Sequence, residues 1–168
     1  KELATLEAML THVVLHQQGP EDIVVLSVRG AGKECYAGQA TLAGLRLVPF
    51  DPSRPYVPGT LRTSTVFKFK GMESYAVVLA DLDSLATERD RRKAYVGISR
   101  AKYALYILAA PAAEQALRLA LERPGYGPVD ARQRDGCRAG YDDPAAIALF
   151  VLDPSRRGKR KGNDRQLA

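Results

Sequence analysis

Apolar positions recur at helical spacing at the start of the chain. Leu3, Leu6, Leu10, Val13 and Val14 form one stripe between Glu2 and Gln17, which predicts an amphipathic helix. Gly19-Pro20 ends it. Asp22–Val28 is a short, β-branched apolar run, long enough for a buried strand. Gly30–Gly32 follows as a glycine-rich loop, and residues 33–44 show no clear period beyond room for a short helix. Leu45–Phe50 alternates like a strand, and Asp51–Gly59 holds three prolines and reads as loop. Arg62–Phe67 and Tyr75–Leu82 are predicted strands on either side of Gly71. Thr87 is placed to cap a charged helix running to about Arg100, with Asp90 three residues on. Ala104–Ala109 is a further strand, Pro111 opens a helix running from Ala112 to Arg123, and Asp143–Leu152 is a last apolar run expected to dock on the body. Short apolar strands alternating with helices predict an α/β fold with a mostly parallel sheet. Ligands of such sheets bind at the carboxyl ends of strands. That rule directs attention to loops 29–34 and 68–73 and to the segment 83–100.

Composition narrows the field. The 168 residues are 46% apolar and 26% charged, as in an ordinary globular chain. No run of 18 apolar residues marks a transmembrane helix, and Lys1-Glu2-Leu3 is not the start of a signal peptide. A chain beginning at Lys1 rather than Met is expected to be a piece of something longer. Cys35 and Cys137 are too few for a disulfide framework and suit a reducing cytoplasm. Of the net charge of +6, +5 lies in residues 155–168, which hold six Lys/Arg against Asp164 alone. The basic character therefore belongs to a tail, expected to be disordered and to bind polyanions without sequence preference.

Several motifs compete for the chemistry. Gly30-Ala31-Gly32-Lys33 ends like a phosphate-binding loop, but Ser27 stands where its first glycine belongs. Glu34 also stands where a magnesium-bound hydroxyl is required, so a turn after a strand is the better reading. His12 and His16 sit four apart on a helix without a third ligand, as exposed histidines do. Thr63–Asp81 reads as strand, tight glycine loop, strand, with Lys68 and Lys70 at its mouth and Glu73 available to a hydroxyl. Arg100 lies near a helix end just before a buried strand, where a guanidinium reaches into a cleft and makes bidentate phosphate contacts.

The last two segments, in this order and with one strand between them, resemble the C-terminal motor motifs of superfamily 1, UvrD-like DNA helicases. Thr65-Val66-Phe67-Lys68-Phe69-Lys70-Gly71-Met72-Glu73 is similar to motif V, and Ala94-Tyr95-Val96-Gly97-Ile98-Ser99-Arg100-Ala101-Lys102 to motif VI. The likeness covers roughly residues 20–110. It implies an α/β, RecA-like P-loop NTPase fold, a second motor domain without its own Walker A, spanning residues 1–124. Residues 125–154 would form an extension and residues 155–168 the basic tail. Arg100 is then the catalytic arginine finger, reaching the γ-phosphate of ATP held with Mg2+ mainly by an N-terminal RecA-like domain of the same protein. Glu73 bonds the ribose, Gly71 brings its N–H to the phosphates, and Lys70 belongs to the same nucleotide site. Thr65, Phe67 and Lys68 face single-stranded DNA. Phe67 departs from the family's histidine, trading a phosphate contact for a surface on which a base stacks.

Other family parts are missing. There is no Walker A lysine to accompany Asp81 and Asp83, and no motif IV arginine before the first helix. The 33 residues between Val28 and Arg62 leave no room for a large helical insertion. The expectation is therefore the C-terminal motor domain of a compact ATP-dependent helicase or translocase, cytoplasmic and without a membrane span, inactive as an isolated piece. The rival expectation is a degenerate, non-enzymatic nucleic-acid-binding or interaction module on the same fold. Phe67 favours the rival, and intact Gly71, Glu73 and Arg100 oppose it.

Overall fold

A computed structural model of the chain describes residues 2–121 and 146–151. Seven strands form one sheet: β1 (Ile23–Ser27), β2 (Thr41–Leu42), β3 (Leu45–Pro49), β4 (Thr60–Thr65), β5 (Ser74–Leu82), β6 (Ala101–Ala109) and β7 (Ala146–Val151). Their order is β2-β3-β4-β1-β5-β6-β7. All pairs are parallel except β2 with β3. That exception is a hairpin whose two turn residues, Ala43 and Gly44, both have positive φ, 50° and 77°. Such a turn matches the natural twist of paired strands. It fills only the end of the stretch 33–44; residues 33–40 form turns rather than the short helix for which the sequence leaves room. The last apolar run supplies β7, which continues the sheet beside β6.

Central strands of a parallel sheet are covered on both faces, which is why β1 and most of β5 and β6 are apolar without alternation. The N-terminal helix covers one face: α1 (Glu2–Met9), a five-residue π stretch (Leu10–Val14) and α2 (Leu15–Gln17). The π stretch is closed by the Leu15 N–H donating to the Leu10 carbonyl. Leu6, Met9, Leu10 and Val14 pack there with Ile23, Val25, Val78 and Tyr106. The other face carries α3 (Glu88–Ile98) and α4 (Pro111–Leu121), with Ala94, Ala113 and Leu117 against Val24, Leu79 and Ile107. Each fully buried Leu or Ile contributes roughly 1.5–3 kcal/mol. Thr87 caps α3 as expected, its hydroxyl oxygen accepting from the Asp90 N–H at 3.1 Å. The architecture is the α/β, mostly parallel, RecA-like one, with helices on both faces of the sheet. No described helix is long and apolar enough to cross a membrane.

The connection from β4 to β5 positions the chemistry. Both strands flank β1 and run parallel to it. The chain must therefore return from the carboxyl end of β4 to the amino end of β5, and residues 66–73 do so without a full helix. Parallel crossovers ordinarily take a dozen or more residues. This one is held down by Val66 and Phe69, both fully buried, and by the Val66 N–H donating to the Ser27 carbonyl at 3.0 Å. Phe69 also meets Phe50 edge to face, with centroids 4.7 Å apart. One short segment thus presents residues to both ends of the sheet. The ends of the predicted 1–124 domain and of the last helix, Cys137 and the 155–168 tail lie outside the described residues.

Candidate functional site

The loops singled out by the carboxyl-end rule contain motif residues, but those residues do not all stand at carboxyl ends. Gly71, Glu73 and Arg100 gather at the amino ends of β5 and β6, because the crossover has already carried the chain back across the sheet. Ser74 and Ala101 are paired in register, and the Ser74 N–H donates to the Arg100 carbonyl at 3.0 Å. Residues 73 and 100 therefore precede neighbouring strands side by side.

Arg100 is half-buried and held by neutral oxygens. Its Nε donates to the Val96 carbonyl at 3.1 Å, Nη1 to the Met72 carbonyl at 3.4 Å and Nη2 to Ser99 Oγ at 2.9 Å. It forms no ion pair among the described residues. Met72 lies between Gly71 and Glu73, so the guanidinium touches the glycine turn directly. Glu73 is exposed and pairs with Lys102, Oε2 to Nζ at 3.3 Å. Exposed pairs of this kind contribute about 0–1 kcal/mol, so this carboxylate is readily given to another partner. Gly71 sits at φ 83°, a conformation that side chains rarely adopt. The N–H groups on either side are used within the turn, Lys70 to the Phe67 carbonyl and Met72 to the Phe69 carbonyl. The Gly71 N–H has no hydrogen-bond partner among the described residues. Lys70 is exposed beside it. A guanidinium without a counter-charge, an ammonium, an unspent N–H and a loosely held carboxylate suit an anionic phosphate chain joined to a hydroxylated sugar.

The other end of the crossover differs. Thr65 is only 6% exposed, and its hydroxyl oxygen accepts from the Lys68 N–H at 3.4 Å. In this structure it shapes the turn and does not face solvent. Phe67 is 58% exposed, and Lys68 is exposed beside it. The Lys93 ammonium, from α3, stands 6.0 Å from the Phe67 ring centroid. Sequence reasoning missed Lys93. Its only signal was a cation one turn before the motif VI glycine, on the helix face that turns inward. Gly97 was also missed. A Cβ there would lie 2.5 Å from Leu79 Cδ1 and 3.1 Å from Val66 Cγ1, so α3 seats directly on the root of the crossover.

At the carboxyl end, the loop after β1 meets Asp81 and Asp83, but the space is filled by Arg29. Its guanidinium pairs with Glu2 at 3.0 Å, Asp81 at 3.3 Å and Asp83 at 2.6 Å. The bond to Asp83 raises its pKa further above the ordinary guanidinium value, burial opposes this, and Glu2 and Asp81 add to the rise. Asp81 is fully enclosed, at φ 64°, accepting from the Ser27 hydroxyl and from the Cys35 N–H at 3.1 Å. Burial, reinforced by the Asp81 charge, pushes the Cys35 thiol up, which keeps it a poor nucleophile. The Gly30–Lys33 stretch is a turn, with the Lys33 N–H donating to the Gly30 carbonyl. His12 and His16 are exposed. No group of three or more His, Cys, Asp or Glu side chains among the described residues is arranged to hold a metal.

No curated protein matches this chain. Residues 60–108, which run from β4 through the crossover, β5 and α3 into β6, match the family model of the UvrD-like helicase C-terminal domain.

Proposed function

We propose that this chain is the C-terminal motor domain of an ATP-dependent DNA helicase or translocase. It works against an N-terminal RecA-like domain of the same protein, which holds most of the ATP and its Mg2+. ATP hydrolysis supplies the free energy for moving along the strand. Arg100 is the finger: it leaves its carbonyl partners and places its charge against the phosphoryl group being transferred. Lys70 and the Gly71 N–H hold phosphate oxygens, and Glu73 exchanges Lys102 for a ribose hydroxyl. Phe67 and Lys68 meet single-stranded DNA at the opposite end of the crossover, while Thr65 supports the turn on which they stand.

The observation that carries this reading is the contact of Arg100 with the Met72 carbonyl. It joins motif VI to motif V at the amino edge, with a half-buried arginine that no carboxylate neutralises. A degenerate module has no use for such an uncompensated cation. The test is ATP hydrolysis by the chain with and without its N-terminal motor domain, in the presence and absence of single-stranded DNA. Hydrolysis is expected only with both domains, and faster with the strand. Hydrolysis that the strand does not affect would overturn the coupling to DNA, and none at all with both domains present would favour the interaction module.

A further inference from the structure

The amino acids around Phe67 contain a cation that the motor reading does not use. Lys93 lies on α3, is half-buried, and forms no ion pair among the described residues. Its ammonium faces the Phe67 ring at 6.0 Å and also lines a cleft of about 190 Å³ with Asp83, Ser84 and Asp90. The cleft gives the flexible side chain room to swing. Asp90, one turn earlier on α3, lies within reach of its charge, but the Asp90 carboxylate is already engaged by the Thr87 hydroxyl at 2.6 Å.

We infer that Lys93 is a strand-binding residue, gripping the phosphate next to a base stacked on Phe67. This rests on the reading of Phe67 as a single-strand contact. Two magnitudes decide where the ammonium goes. An exposed cation–π contact strengthens an interaction by about two- to fivefold. Base stacking on an aromatic ring strengthens it by about five- to a hundredfold. A base therefore takes the ring face, and the displaced ammonium is left beside the strand's backbone with three free donors. A phosphate is the partner that strand supplies there.

The placement has a consequence for the motor. α3 ends at Ile98, two residues before Arg100, and Gly97 fixes it against Val66, the residue before Phe67. The strand contacts Phe67 and Lys93 and the finger Arg100 thus ride on one packed unit.

The experiment is titration of the chain with a labelled oligothymidylate at several salt concentrations, for wild type, Lys93→Met, Lys93→Arg and Phe67→Ala. Melting curves establish that each variant is folded, and any contribution of the basic tail is common to all four. Lys93→Met is expected to weaken binding about three- to tenfold at low salt and to reduce the salt slope by about 0.7, the value for one phosphate contact on a single strand. Lys93→Arg keeps the slope. Phe67→Ala weakens binding at least about fivefold and leaves the slope unchanged. A purely structural lysine would not move the slope. An unchanged slope in Lys93→Met with binding lost in Phe67→Ala overturns the role of Lys93 and leaves the strand reading intact. Unchanged binding in Phe67→Ala overturns both the shared platform and the reading beneath it.

Discussion

Arg29 and Arg100 stand at opposite ends of one sheet and are treated in opposite ways. Arg29 has three carboxylates around it, from Glu2, Asp81 and Asp83. Arg100 has a helix carbonyl, a loop carbonyl and a hydroxyl. The first arrangement is complete: the cation is more than matched by carboxylates, and the loop after β1 is tied to β5 and to the N-terminal helix. The second is unfinished, since a cation held by neutral oxygens gains most when an anion arrives. The loop with the more familiar phosphate-binding look, Gly30-Ala31-Gly32-Lys33, is at the finished end. Glycine content and position after a strand do not make a phosphate site when an arginine already occupies the acidic cleft.

This contrast breaks most visibly on removal of Arg29. Arg29→Ala leaves the buried Asp81 carboxylate without its cation, and is expected to cost about 3 kcal/mol of stability, since breaking a buried pair strands the remaining ion. Chemical denaturation measures it, and a loss below about 1 kcal/mol would mean the network does not hold this end closed. At the amino edge the expected effect is on binding. Glu73→Ala is expected to raise the Michaelis constant for ATP roughly tenfold with turnover preserved, the loss of one hydrogen bond to a charged group. An unchanged constant removes Glu73 from the nucleotide site. The smallest effect lies at the α3 cap, on neither edge. Thr87→Ala is expected to cost about 1 kcal/mol. The Thr87 hydroxyl holds the Asp90 carboxyl below the usual carboxylate range against the opposing effect of desolvation, with further help from the Thr87 backbone. A depressed folded-state value gives stability that is present above the unfolded carboxylate pKa and lost as pH falls through the folded one. Melting curves from neutral pH to about pH 2 should show that acid-dependent component smaller in the variant than in wild type.

The motif residues were legible because their types, order and separation are specific. Where they stand was not. Nothing in the interval between Glu73 and Arg100 says that β5 and β6 are parallel neighbours paired at Ser74 and Ala101. Nor does the sequence reveal that eight residues take the chain from one end of the sheet to the other. The loops that the carboxyl-end rule named, 68–73 and 83–100, do contain Gly71, Glu73 and Arg100, but the fold puts these three at the amino ends of β5 and β6. The helices and most strands followed from periodicity and caps, as at Thr87 and Pro111. The β2–β3 hairpin did not, since its turn uses Ala43 at positive φ, a choice no propensity favours. Thr65 shares a motif with Phe67, yet one is buried and the other exposed. A tight turn sends positions two apart to different environments, which their residue types do not reveal. Lys93 and Gly97 carry meaning only through what packs against them.

The account stands on Arg100 serving the ATP site at the amino edge. The direct measurement is strand-stimulated ATP turnover and nucleotide affinity for Arg100→Ala in the protein carrying both motor domains. An arginine finger contributes about 10³–10⁵ in rate. Turnover is predicted to fall about a thousandfold or more, with nucleotide affinity within a few-fold of wild type. Turnover within about threefold of wild type, or a loss confined to affinity, would contradict the assignment.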